Sequence, residues 1–341
     1  MFMHRLGSTR HLQSAALLAC GMALALGSHA YAQETINYGV QPDTDPSFIA
    51  KARGYFEPIE KQYHVRVVFQ QFSYGAPENQ AMAAGALQIA SAGMGPATIA
   101  VSRLRATLVA INILEQTAIL VPVDSPLKSP CDLKGKTVAY PGIGSQQFPL
   151  LLKALANCGL TANDIQLFKS SGPDIPVLVE RKSVDAGITW DPSISVGLAS
   201  GKVRLLAKAE QIMPIMNGHY VGNGVYVQND FLAKHPDITQ ALVTANVKAI
   251  NDILCDPAGA AKLWSEQIGI PENVIALSLK EGISVYSLDV IPTQPVMAAY
   301  AKFLKDAAIL KPTDEPRIEP SFAAKALKEV EAGKTCTMHA T

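Results

Sequence analysis

The chain has 341 residues, 29 Lys+Arg against 29 Asp+Glu, and is 48% hydrophobic. Such a balance gives no electrostatic footprint for nucleic acid, whose phosphates demand a strongly basic face. The length exceeds what one compact core normally holds, so a monomer of two lobes is expected.

The first residues carry only positive charge (His4, Arg5, Arg10, His11), Ser14 to Gly27 is apolar, and Ala30-Tyr31-Ala32 offers small residues at cleavage spacing. Residues 1–32 therefore read as a signal peptide cut before Gln33, and the remainder as a soluble protein exported to the periplasm. The apolar run is too short to span a bilayer, which takes roughly 20 apolar residues. Leu17-Leu18-Ala19-Cys20 also fits a lipoprotein processing box, and that alternative stays open. Without Arg5 and Arg10 the rest of the chain has 27 basic and 29 acidic residues.

Ile36 to Val40 is an apolar, β-prone run, Gln41 to Asp45 a turn, and Asp45-Pro46 opens a helix with a cap followed by proline. Ala86 to Ala90 is the next strand, Ser91 to Gly95 a loop, and Pro96 a helix start. Thr117 to Val123 and, much later, Gly224 to Val227 are β-type stretches that interrupt the pattern, and the Pro/Ser-rich segment from Val121 to Pro130 reads as a linker. Taking both stretches as crossings gives a first lobe of residues 33–123 plus 223–341 and an inserted second lobe of residues 124–222. Within the second lobe Thr137 to Tyr140 is followed by Pro141-Gly142-Ile143-Gly144, with Ser145 capping a helix that stops before Gly159. Ala186 to Trp190 then leads into Asp191-Pro192. From Asn229 onward the pattern is helical: Asp230 as a cap, then Ile238 to Leu254, a helix from Pro257, Pro292 to Leu310 and Phe322 to Glu331, all expected to buttress the first lobe.

Strand, Gly/Pro-rich loop and capped helix in repetition mean βα units, hence an α/β fold with a mostly parallel sheet flanked by helices in each lobe. Ligands of such sheets bind outside the carboxyl ends of the strands, which puts the loops after all these strands on one functional edge. Cys131, Cys158, Cys255 and Cys336 are an even number in a chain bound for an oxidising compartment, which admits disulfides as well as buried free thiols. If disulfides form, βα geometry pairs Cys131 with Cys158, since the strand runs away from Cys131 and the following helix returns Cys158 to the same edge. Cys255 with Cys336 then follows from their shared place in the C-terminal helical part.

Several short segments, in order, resemble the substrate-binding proteins of sulfonate, taurine and nitrate importers, a family that also contains thiamine-precursor binders. They are Tyr38-Gly39-Val40, Ala84-Gly85-Ala86-Leu87-Gln88-Ile89, Asp132-Leu133-Lys134-Gly135-Lys136-Thr137-Val138-Ala139, Val184-Asp185-Ala186-Gly187 before Trp190, and Phe231-Leu232-Ala233-Lys234-His235-Pro236. The resemblance implies a type II periplasmic binding protein, a two-lobe clamp. It would capture a small anionic organic solute, such as a sulfonate or taurine, for the transmembrane subunits of an ABC permease. A sensory or adaptor protein presenting its ligand to a receptor stays open as an alternative, as does a binder of pyrimidines, thiamine precursors or aromatic carboxylates. The pyrimidine synthases that resemble these binders are intracellular, cysteine-rich and pyridoxal-dependent, which the export signal and scattered cysteines argue against. Gly-x-Ser-x-Gly, His-Glu-x-x-His, Cys-x-x-Cys and the phosphate-cradling Gly-x-x-x-x-Gly-Lys-Ser/Thr loop are missing, so no enzyme, metal or cofactor is expected.

The candidate ligand contacts lie in the edge loops. Ser145, Gln146 and Gln147 open a helix whose unpaired first-turn N–H groups and dipole suit an anion, and Gly142 and Gly144 permit close approach. Ser91, Gly93 and Met94 offer a second helix start from the facing lobe. Gln41 and Asp43 follow the first strand, and Asp45 reads as a plain cap. Trp190 offers an apolar wall, and Asp191 either a carboxylate for an ammonium group or simply a helix cap. Gln116, His219 and Asn223 lie near the crossings. No arginine falls in these loops, so neutral donors and helix termini would have to hold an anion.

Overall fold

A computed structural model describes residues 33–333 and 336. Residues 1–32, with the leader and lipoprotein readings, lie outside the described residues. Eleven strands are β1 (Glu34–Val40), β2 (Val65–Gln71), β3 (Ile89–Gly93), β4 (Ala106–Glu115), β5 (Thr117–Pro122), β6 (Thr137–Tyr140), β7 (Gln166–Lys169), β8 (Ala186–Trp190), β9 (Val203–Lys208), β10 (Val221–Gln228) and β11 (Ser284–Val285). They form two sheets, in the orders β11-β4-β10-β3-β1-β2 and β7-β6-β8-β5-β9.

Within each sheet four strands share one direction. In the first, β2, β1 and β3 pair in parallel, and β10 runs against both β3 and β4, with short β11 also antiparallel to β4. In the second, β7, β6 and β8 are parallel while β5 opposes β8 and β9. The strand that enters each sheet from the other, β5 or β10, runs against both of its neighbours. Strands β3, β4, β5 and β8 are buried along their whole length, which suits their mainly apolar sequences.

Three boundaries differ from the sequence expectation. β5, expected on the near side of a crossing that ended at residue 123, is hydrogen-bonded inside the second sheet, so the first crossing narrows to Gln116 between β4 and β5. β3 runs on through Gly93 because it pairs with β10 at Ser91–Val225 and Gly93–Asn223, and the following helix begins at Met94, ahead of Pro96. Asp230 lies inside the helix Asn229–Lys234, whose cap is Gln228, its side chain accepting from Phe231 N at 2.8 Å.

One core packs β1, β3 and β4 against the C-terminal helices Pro236–Cys255 and Pro257–Ile268, with Trp264 fully buried. A second runs from the helix Met94–Arg103 through Met213 and Tyr220 to Leu150 and Ile188 beside the second sheet. The C-terminal part does not serve the first sheet alone: the helix Glu272–Lys280 packs on Ser193–Ala199 of the second. Sulfur atoms of Cys131 and Cys158 are bonded at 1.99 Å, and those of Cys255 and Cys336 at 2.07 Å. Among the described residues no helix is long and apolar enough to cross a membrane.

Candidate functional site

The carboxyl ends of the two sheets face each other across a narrow cavity. Gln41 and Asp43 reach it from the turn after β1, Tyr74 and Gly75 from the turn after β2, and Gly93 and Pro96 from the end of β3 and the helix it feeds. Ser145, Gln146 and Gln147 come from the loop after β6, Trp190 from the end of β8, Gln116 from the first crossing and Asn223 from β10. Its water-occupiable volume is ≈ 10 Å³, room for about one water molecule. A ligand of several heavy atoms therefore enters only if the two sheets part.

Glycine is required where the halves meet. A Cβ on Gly144 would lie 2.5 Å from Ala76 Cβ, and one on Gly93 would lie 2.8 Å from Gln146 Oε1. That Gln146 oxygen accepts from the backbone N–H of Gly95 at 3.2 Å, in the first turn of the helix Met94–Arg103. Those N–H groups have no partner within the helix, and the dipole adds positive potential. A side-chain amide oxygen from the loop after β6 thus satisfies one of these N–H groups.

The helix facing it, Gln147–Ala156, begins differently from expectation. Ser145 Oγ accepts from Phe148 N at 3.3 Å and donates to Gly142 O at 2.7 Å, so the hydroxyl is spent on its own turn. Gln147 donates to Thr117 Oγ1 at 3.1 Å, tying the loop to β5.

Of three buried carboxyl groups on the first-sheet side, Asp43 lines the cavity and Asp45 and Glu78 lie behind it. Asp43, Asp45 and Glu78 are all at least 98% buried. Asp45 caps the helix Pro46–Ala52 through Ser47 N at 2.7 Å and also accepts from Ser91 Oγ and from Asn112 Nδ2 at 2.8 Å. Asp43 receives only Asn223 Nδ2, at 3.1 Å on Oδ2, and its Oδ1 has no partner. Burial pushes the Asp43 carboxyl well above the usual range, and the charge of Asp45 adds to the rise. Glu78 is pushed up in the same way by burial; Gln41 Nε2 donates to its Oε2 at 2.8 Å and its Oε1 is unpaired. Gln116 approaches Asp43 closely enough to favour its charged form, yet Gln116 Nε2 makes no well-formed hydrogen bond. Trp190 Nε1 is likewise buried and unpaired. Among the described residues no Lys or Arg lines the cavity.

Four residues singled out from sequence do not line it. Ser91 lies within β3, and its hydroxyl donates to Asp45. Met94 is wholly buried, its Cε within reach of Gly224 on β10. Asp191 does the work of a cap: its Oδ1 accepts from Ser195 N at 3.2 Å and from Ser195 Oγ, and its Oδ2 accepts from Ser284 Oγ at 3.3 Å. His219 sits at the second crossing, its Nδ1 3.1 Å from Glu115 Oε1, which also accepts from Tyr220 N at 2.8 Å. Glu115 is buried beside Glu210 and is pushed up to about 8, chiefly by burial. Tyr74 and Gly75 escaped the sequence reading because β2 did; its signal is the apolar alternation Val65, Val67, Phe69.

The profile of the family described as NMT1/THI5 like matches residues 41–260, more than half of the chain. The chain belongs to the NMT1/THI5-like family. Among relatives of this family member, the taurine-binding periplasmic protein of Escherichia coli (strain K12) is 26% identical over 267 residues, covering 76% of this chain and 77% of that protein. A putative aliphatic sulfonates-binding protein of the same strain is 31% identical over 248 residues, covering 71% of this chain and 74% of that protein. The alkanesulfonate-binding protein SsuA from Xanthomonas axonopodis pv. citri, solved bound to MOPS, superposes with a TM-score of 0.70 at 23% identity over 86% of this chain and 99% of that one. The fold is that of the periplasmic binding proteins.

Proposed function

We propose that this NMT1/THI5-like protein is the solute-binding component of an ABC importer. It acts in the periplasm as a monomer, captures a small sulfonate-type anion between its two sheets and delivers it to the transmembrane permease subunits. In this reading residues 33–115 with the chain from β10 onward form one lobe and β5 to β9 the other, and the lobes part to admit the ligand. The observation that carries it is the Gln146 oxygen held by Gly95 N–H at a helix start, in a cavity that both sheets line. A ligand oxygen exchanging for that carbonyl meets donors already aimed at it, so little reorganisation opposes binding. The names of the relatives, taurine-binding and aliphatic sulfonates-binding, support the ligand class. Binding rather than turnover is supported by the relatives, which are named as binding proteins.

Thermal unfolding of the exported protein with taurine, ethanesulfonate, MOPS, nitrate and benzoate tests this. A true ligand at a hundredfold excess over Kd stabilises by about 2.7 kcal/mol. At least one sulfonate is expected to raise the midpoint by several degrees, and stabilisation by nitrate or benzoate alone would refute the sulfonate class.

A further inference from the structure

Away from the cavity, three metal-ligating side chains meet where the chain passes between the sheets. Glu115 ends β4 just before the first crossing, Glu210 lies in the short helix Ala209–Ile212 that follows β9, and His219 stands two residues before β10 begins. None of the three lines the cavity. Their ligand atoms all lie within 4.8 Å of one another, with His219 Nδ1 3.1 Å from Glu115 Oε1 and 3.7 Å from Glu210 Oε2. A tetrahedral ion with bonds of about 2.0–2.1 Å sets neighbouring ligand atoms about 3.3 Å apart, a spacing that these two distances bracket.

The charges there call for a cation. The Glu115 side chain, 2% exposed, lies beside a second carboxylate, and among the described residues neither acid forms an ion pair with a lysine or arginine. Lys208, two residues before Glu210, gives its Nζ to the carbonyls of Glu281 and Gly282 instead. Like charges in a poorly solvated place repel strongly. Backbone donors aim Glu115 without neutralising it: Oε1 accepts from Tyr220 N at 2.8 Å and Oε2 from Glu210 N at 3.0 Å. His219 is fixed by a tight hairpin, in which Asn217 and Gly218 at φ 53° and 87° let Met216 and His219 exchange backbone hydrogen bonds. Outer partners of this kind orient ligands before an ion arrives. The side chains of Glu210 and His219 are 32% and 37% exposed, which leaves one side open for entry and for a water as fourth ligand.

We propose that Glu115, Glu210 and His219 form a site for a divalent transition-metal ion that clasps the two sheets together at their crossings. One imidazole nitrogen with two carboxylates suits zinc and its neighbours, whereas calcium and magnesium take oxygens alone. No local motif marks the site, because 104 residues separate Glu115 from His219 in sequence. The site is independent of what the cavity binds.

The experiment is titration calorimetry of the exported protein, stripped with EDTA and free of sulfonate, with zinc chloride and with magnesium chloride, repeated on His219→Ala and Glu210→Gln. One zinc ion per molecule with micromolar or tighter affinity is expected, magnesium binding far more weakly. An outer partner of a metal ligand is by itself worth 10–100-fold in affinity, so His219→Ala, which removes a ligand outright, should bind zinc at least about 100-fold more weakly, and Glu210→Gln, which keeps an oxygen, about tenfold. Zinc should also raise the thermal unfolding midpoint of the parent protein and leave that of His219→Ala unchanged. Zinc affinity retained in His219→Ala overturns the proposal. So does millimolar or absent zinc binding in the parent protein, or magnesium bound there as tightly as zinc, outcomes that need no variant to fold.

Discussion

Gly172→Ala probes whether the Trp190 ring is fixed where the cavity needs it. A Cβ on Gly172 would lie 2.1 Å from Cζ3 and 2.2 Å from Cη2 of Trp190, whereas ordinary contact begins at 3.4 Å. Gly172 cannot retreat easily, because Thr189 Oγ1 donates to its carbonyl at 2.9 Å from the strand that carries Trp190. The ring must therefore move by roughly 1.3 Å, and overpacking of this kind costs about 1–3 kcal/mol of stability. It also removes an aromatic wall from a cavity with room for about one water, so the stabilisation given by a saturating ligand should fall by about 2 kcal/mol or more. Urea unfolding with and without taurine measures both quantities. A double-mutant cycle isolates the cause: with Trp190→Ala already present, Gly172→Ala should add little, giving a coupling above about 1 kcal/mol. Unfolding identical to the parent protein, or strict additivity in the cycle, would refute the claim that this glycine exists to seat the tryptophan.

Three further outcomes follow from the described contacts. Glu115 titrates near 8 in the folded protein against an ordinary value of 4.5, so the native state holds a proton that the unfolded chain has lost between those pH values. Stability should thus fall as pH rises from about 4.5 to about 8, and Glu115→Gln should flatten that slope in urea titrations across the range. Asp43, Glu78 and Asp191, all raised by burial, act with the same sign and leave a residual slope. Removing Cys131–Cys158 or Cys255–Cys336 by serine pairs, with separations of 27 and 81 residues, should cost up to about 3.5 and 4.5 kcal/mol by loop entropy, the larger loss belonging to the longer loop in denaturant melts. Ser145→Ala should lower stability by about 1 kcal/mol through the lost Phe148 cap, as urea unfolding would show.

Most of the architecture was legible because its signals are local. Proline behind a cap marked Asp45-Pro46, an apolar run ending in glycine or proline marked β6 and β8, and their repetition implied parallel sheets. β4 was passed over, although it is the longest strand, because ten buried apolar and polar residues in a row show no alternation to separate strand from helix. β3 was cut short at Ala90 because Ser91 and Gly93 resemble a loop, and only the pairing with β10, more than 130 residues away in sequence, makes them strand. The site shows the same division. Gln41, Asp43, Gly93, Gln116, Ser145, Gln146, Gln147, Trp190 and Asn223 meet at the cavity because topology alone brings the strand ends together. Which acid faces the cavity was not legible, since Asp43, Asp45 and Asp191 differ only in their partners: Ser47, Ser91 and Ser195 satisfy two of them and leave the third open.

The residue between the two sheets would join recognition to motion in the proposed clamp. The first crossing is a single residue, Gln116, and it and Glu115 hold left-handed backbone at φ 76° and 63°, a conformation that side-chain-bearing residues adopt rarely. Neighbours of both sheets hold it there: Gln116 N donates to Ile283 O at 2.7 Å and its carbonyl accepts from Asp191 N at 3.0 Å, while Glu115 accepts from Tyr220 N at the second crossing. The residue between the sheets thus places its own amide in the cavity wall. If the lobes part as proposed, rotation of one sheet against the other would turn the backbone at Gln116, and the same turn would carry Nε2 toward or away from a ligand. In that proposed clamp closure and donor placement would be one event, and a ligand that satisfies Nε2 would stabilise the closed arrangement by the differential contact it makes there.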